Sequence, residues 1–162
     1  MSATLKTVLF LLAATSATVS AEHLKVVFSA GDFGAIGGDN GNYASFAIIN
    51  DNGDAIYNDG TPADRSPCYN TGDGREFTIE GDCWSTPRTF KCKSDFAGHP
   101  STCEVKDGDG NSLGTGEGVT NTNFVGIAIG EDSTCVVEFD SDDSGDGCPV
   151  DDGNGPLHVT SG

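Results

Sequence analysis

Six cysteines, Cys68, Cys83, Cys92, Cys103, Cys135 and Cys148, all fall after residue 67 of a 162-residue chain. Their number is even and no two stand as a CxxC pair, so they read as three disulfides and not as a zinc site. Each bridge stabilises a fold by about 2–4 kcal/mol. Six cysteines admit about fifteen pairings, and spacing does not choose among them. The first third of the chain has no cysteine and must be held by core packing alone. Two long irregular segments, 58–74 and 140–156, contain one cysteine each, Cys68 and Cys148, which would tie them to the body.

Disulfides need an oxidising compartment, and the first residues imply one. MSATLKTVLFLLAATSATVSA has a lone basic residue, Lys6, and an apolar run from Val8 to Ala14. Val19 and Ala21 suit the −3 and −1 positions of a signal peptidase site. The sequence therefore predicts a secretory signal over residues 1–21 and a single secreted β domain over 22–162. Neither this apolar run nor any later one has the length to span a bilayer. No Asn-x-Ser/Thr sequon occurs, so N-glycosylation is not expected.

All 25 Asp and Glu lie beyond residue 21, against seven Lys or Arg, a formal charge of −18. Such a field repels nucleic-acid phosphate and anionic headgroups. Nucleic acid is not expected as a partner; a host or cell-wall protein or carbohydrate is. The basic residues cluster at Arg65, Arg75, Arg88, Lys91, Lys93 and Lys106, and twelve acids but no basic residue follow Lys106. That middle segment is either the least acidic stretch or a local binding face.

Helical periodicity is almost absent after residue 21. Short β-type runs recur instead: LKVVFS, NYASFAII, DAIY, REFTIE, RTFKCK, TCEVK, NFVGIAI, TCVVEF and LHVT. Gly- and Asn/Asp-rich turns separate them. Eight to nine short strands so punctuated predict an all-β fold, an antiparallel β-sandwich or barrel braced by disulfides. Asn52-Gly53 reads as a two-residue hairpin turn with Asp51 opposite Asp54 and Ile49 opposite Ile56. A second hairpin, NFVGIAIGEDSTCVVEF, is expected to turn near Gly130–Asp132, with Phe124, Ile127, Ile129, Val136, Val137 and Phe139 feeding the core. A third joins RTFKCK to TCEVK through SDFAGHPS. The glycines of GDFGAIGG lack the G-x-G-x-x-G pattern and no helix follows, so this stretch reads as a surface loop.

One acidic stretch carries a metal-like spacing. In DSDDSGDGCPVD, Asp140, Asp142, Ser144, Gly145 and Asp151 occupy positions 1, 3, 5, 6 and 12 of an EF-hand-type loop, where alternate oxygens wrap a hard cation. Asp140, Asp142, Ser144 and Asp151 are thus candidate calcium ligands, although Asp stands where the bidentate Glu is usual and no helix flanks the loop. DGDGNSLGTGEG, from Asp107, is a weaker match. No nucleophile elbow is present near the three histidines, His23, His99 and His158. A copper site on His23 would require cleavage after Glu22, a poor site for a signal peptidase. For carbohydrate stacking the candidates are Trp84, Tyr57 and Tyr69, of which Tyr69 and Trp84 each stand next to a cysteine.

A signal peptide, a short secreted chain, six cysteines, many Gly/Asn turns and no catalytic motif together resemble the small secreted cysteine-rich proteins of fungi, many of which are effectors or elicitors. The resemblance is one of layout over the whole chain and transfers no residues. It implies a non-enzymatic module that binds and acts extracellularly on a host. Two other readings stand beside it: an extracellular carbohydrate-binding module, calcium-assisted or not, and a small secreted polysaccharide-active enzyme.

Overall fold

The computed structural model describes residues 21–35, 40–60, 62, 68, 75–81, 83–96, 98–125, 128–142, 148 and 157–161. The expected signal segment lies almost wholly outside them. The strands are β1 (His23–Ala35), β2 (Asn40–Asn50), β3 (Ala55–Asp59), β4 (Arg75–Gly81), β5 (Arg88–Ser94), β6 (Pro100–Lys106), β7 (Ser112–Val125), β8 (Ala128–Asp140) and β9 (Leu157–Ser161). All pairings are antiparallel and run in the order β3-β2-β1-β8-β7-β6-β5-β4-β9. The sheet is nearly closed, as the expected sandwich or barrel requires. Its two edges are the five-residue strands β3 and β9.

β7 makes the sheet fold back on itself. Its residues 112–117 pair with β6, and its residues 118–125 pair with β8. Where the partner changes, Cys103 of β6 is bonded to Cys135 of β8, across β7. Strands two apart in a flat sheet lie about 9.6 Å apart, yet these two Cα atoms are 6.3 Å apart. The sheet is therefore creased along β7. Glycine makes the crease sterically open: a Cβ on Gly114 would strike the carbonyl oxygen of Glu138, one on Gly116 that of Val136, and one on Gly118 that of Pro100.

Inside the fold, alternate residues of both halves meet. Leu24, Val26, Phe28, Phe46, Ile48 and Ile56 come from the first half and Phe77, Ile79, Phe90 and Val105 from the second, all buried. Phe46 and Phe90 meet across the interior with ring centroids 5.1 Å apart. Burying one such ring contributes about 1.5–3 kcal/mol, which is how the cysteine-free first third is held. The other bridges join Cys68 to Cys92 of β5 and Cys83 to Cys148.

Three hairpins share one turn. In NDNGD, DFAGH and DGDGN the first carbonyl accepts the amide of the glycine three residues on, in Asn50–Gly53, Asp95–Gly98 and Asp107–Gly110. The first side chain accepts the amide of the fifth residue, at 2.9, 2.9 and 2.8 Å. The glycine φ values are +85°, +95° and +85°. This is a three-residue loop closed by a left-handed glycine.

Several sequence expectations are corrected by this geometry. Asn52-Gly53 is not the centre of a two-residue turn, because Gly53 takes the fourth position. Ile49 consequently faces Ala55, not Ile56, with a register shift at Ile48/Ile49 that leaves both Ile48 and Ile56 inside. The hairpin expected at Gly130–Asp132 turns instead between Val125 and Ala128, since SLGTGEG is strand and β8 runs unbroken from Ala128. Val137 and Phe139 are core residues, whereas alternation puts Val136 outside at 39% exposure. The side chains of Phe124 and Ile129, and residue Ile127, lie outside the described set. The GDFGA part of the expected glycine loop continues β1, paired on both sides by β2 and β8.

Gly116→Ala tests the crease. It should lower unfolding stability in urea by about 1–3 kcal/mol through overpacking. Gly53→Ala, where nothing lies within 4 Å, should cost only its backbone strain, about 1–2 kcal/mol. An unchanged midpoint for Gly116→Ala would show that β7 does not run against the Val136 carbonyl.

Candidate functional site

On the outer face of β5, β6 and β7, alternation brings six polar side chains into two rows. Lys91 faces Glu104, which faces Thr115; Lys93 faces Thr102, which faces Glu117. These residues line a groove of about 320 Å³ whose floor is the Cys103–Gly116 pair, directly over the crease. The disulfide behind it and the glycines beside it fix the three strands that carry the lining.

Charge is distributed unevenly here. The described Lys and Arg side chains are Lys25, Arg88, Lys91, Lys93 and Lys106. Lys25 pairs with Glu138 at 3.1 Å, Arg88 with Asp142 at 3.1 Å and Lys106 with Glu104 at 3.4 Å. Among the described residues Lys91 and Lys93 have no ion-pair partner, and both line the groove. Hydrogen bonding from the Ser112 side chain, followed by Lys106, outweighs burial and holds Glu104 below the usual carboxylate range. The groove therefore keeps its ionised Glu104 at ordinary pH, with its cationic edge along β5. Just beyond the Lys93–Thr102 pair, the β5–β6 turn carries Phe96, 96% exposed.

A second cluster fastens the start of β1 to the end of β8. Ser141 donates its amide to the Glu22 carbonyl at 2.8 Å, and Glu22 donates its own amide to Ser141 Oγ at 3.1 Å. The Cys148 amide donates to Glu22 Oε2 at 2.7 Å. His23 Nδ1 lies 2.9 Å from Asp140 Oδ1, and its Nε2 lies 3.9 Å from Glu138. The Asp140 hydrogen bond raises the His23 pKa above its ordinary value near 6.5, against partial desolvation and with help from Asp51, Asp140 and Glu138.

A third cluster joins the β4–β5 connection to the same end of β8. Trp84 is buried: its Nε1 donates to the Ile79 carbonyl at 3.1 Å, and its ring packs 6.0 Å from Phe139. The Arg88 guanidinium lies 5.7 Å from the indole centroid, while Nη1 donates to the Thr86 carbonyl at 3.1 Å. Asp142 accepts the Ser85 hydroxyl at 2.5 Å and pairs with Arg88. Burial alone would raise the Asp142 pKa; Ser85 and Arg88 overcome it and hold the carboxyl low.

The candidates named from the sequence fall partly among the described residues. Asp140 turns to His23 and Asp142 to Ser85 and Arg88, while Ser144 and Asp151 lie outside the described residues. Among the described residues no three His, Cys, Asp or Glu side chains are grouped as metal ligands. The weaker match at Asp107 is a hairpin turn, its carboxylate accepting the amides of Asp109 and Asn111. Trp84 offers no stacking face, because its ring is enclosed by Phe139 and Arg88. Tyr69 lies outside the described residues. His23, His99 and His158 sit on β1, the β5–β6 turn and β9. The groove residues Lys91, Lys93, Thr102, Glu104, Thr115 and Glu117 were not singled out as a set. Their signal, polar residues at every second position of RTFKCK, TCEVK and SLGTGEG, is what any half-buried strand shows.

Comparison with protein-family models, curated protein sequences and solved structures finds no match to this chain.

Two measurements probe the flanking clusters. A raised histidine pKa means the fold favours protonated His23. That contribution is complete below the unfolded value and fades as pH climbs through the higher folded one. In an NMR titration, Asp140→Asn should move the His23 midpoint down toward 6.5; an unmoved midpoint would discount the pair. Asp142→Asn should cost about 1–3 kcal/mol in chemical denaturation, because Arg88 stays buried with its carboxylate gone. The upper range for a fully enclosed pair does not apply, as Asp142 is partly open.

Proposed function

We propose that this chain is a secreted, disulfide-stabilised binding protein without enzymatic activity, of the effector kind that fungi direct at a host. It works outside the cell through the outer face of β5, β6 and β7. The observation that carries this reading is the groove: an open polar concavity on a sheet made rigid by a disulfide directly beneath it. Binding surfaces gain from such fixed backbones, because less order has to be imposed when the ligand arrives. Three disulfides fit a chain that matures in an oxidising compartment. No helix among the described residues has the length and apolarity to cross a membrane.

The test has two arms. N-terminal sequencing of protein recovered from culture medium should begin at Glu22. Deleting the gene should reduce colonisation of host tissue, and re-expression of the wild-type chain should restore it. Retention of the full-length chain inside the cell, or unaltered colonisation after deletion, counts against the proposal.

A further inference from the structure

We infer that the groove binds an acidic glycan, a polysaccharide bearing uronate carboxylates. The inference rests on the outer face being the recognition surface, and it deepens that reading by naming the ligand's chemistry.

Charge is the first argument. In a chain of −18, Lys25, Arg88 and Lys106 form salt bridges with acids, while among the described residues Lys91 and Lys93 form none, Lys91 sharing only the field of Glu104 opposite it. They stand on one face of one strand, two residues apart. The spacing of alternate residues along a strand, about 6.6–6.8 Å, lets two separate carboxylates be met. A carboxylate bound there replaces water on two ammonium groups and breaks no salt bridge among the described residues, with only the field of Glu104 to compete at Lys91. The surrounding acidity opposes polyanions in general, so binding has to come from short contacts inside the groove, where screening is weakest.

Hydroxyl chemistry is the second argument. Opposite the lysines stand Thr102 and Thr115, which donate and accept, and Glu117, which accepts. Sugar hydroxyls demand that mixture, whereas carboxylates alone would not use Glu117. The third argument is Phe96. Its ring is wholly in solvent, yet its backbone is clamped, with the Asp95 carbonyl taking the Gly98 amide at 3.1 Å and Asp95 Oδ1 taking the His99 amide at 2.9 Å. A ring so held offers an apolar face for the C–H face of a sugar at small entropic cost. It replaces Trp84 as the stacking residue.

The experiment is affinity electrophoresis of the intact, oxidised protein through gels containing polygalacturonate, dextran sulfate, polyglutamate or neutral dextran. Polygalacturonate should retard the protein most, and salt should weaken the effect. Lys91→Gln/Lys93→Gln should weaken binding roughly tenfold or more, the scale of losing charge-assisted hydrogen bonds. Phe96→Ala should weaken it while leaving the salt dependence unchanged. Lys25→Gln removes one paired charge on another strand and should change nothing. Equal near-ultraviolet circular dichroism confirms that the variants fold. Stronger or equal retardation by dextran sulfate or polyglutamate overturns the glycan assignment, as does neutral dextran matching polygalacturonate. Full binding by the double lysine variant, or no retardation anywhere, overturns it too. Any of these results alongside impaired colonisation in the deletion strain removes the ligand class alone. The same results alongside normal colonisation remove both proposals.

Discussion

Everything in this fold turns on how closely three backbones approach at β7. Gly114, Gly116 and Gly118 let the strand lie against carbonyl oxygens of β6 and β8. The Cys103–Cys135 bridge then holds those flanking strands together across it. Remove the space and the sheet has to flatten; remove the bond and β6 and β8 lose their covalent link across β7. Because one sheet is bent and not two stacked, Phe46 reaches Phe90 from a strand five places away in the sheet order. The core is therefore a consequence of the crease as much as of hydrophobicity.

The groove over the crease depends on the same constraint. Its lining comes from three strands fixed by covalent and steric contacts on their inner side. Thus the residues that shape the fold, Cys103 and Gly116, are also the floor of the candidate site. Inner and outer faces of these strands divide the work: apolar and sulfur groups inside, Lys, Thr and Glu outside.

Much of this was legible in the chain, and the parts that were not share a cause. Strands rich in Val, Ile and Phe, such as LKVVFS and REFTIE, announce themselves by propensity and alternation. Glycine does the opposite, since it weakens a strand unless something packs where its side chain would be. Hence SLGTGEG does not stand out among the β-type runs, and the β7–β8 hairpin turns earlier than the sequence suggests; only the position of Glu138 and Val136 reveals why glycine is there. The Asn52-Gly53 turn was located correctly but assigned the wrong length, because the Asn50 side chain closes a loop one residue longer. For the site, Lys91 and Lys93 were visible as part of a basic cluster. That neither forms a salt bridge among the described residues is a three-dimensional fact that no spacing encodes.

The strand order also bears on how this protein lives at high concentration. β1 and β8, of 13 residues each, and the 14-residue β7 all lie inside the strand order, although each half of β7 is paired on one side alone, by β6 or by β8. The outermost strands of the order are β3 and β9, five residues apiece. Short edges give an incoming strand few hydrogen bonds to form, and such edges are a recognised defence against strand-by-strand aggregation. The strands placed outermost in the order are thus also the shortest.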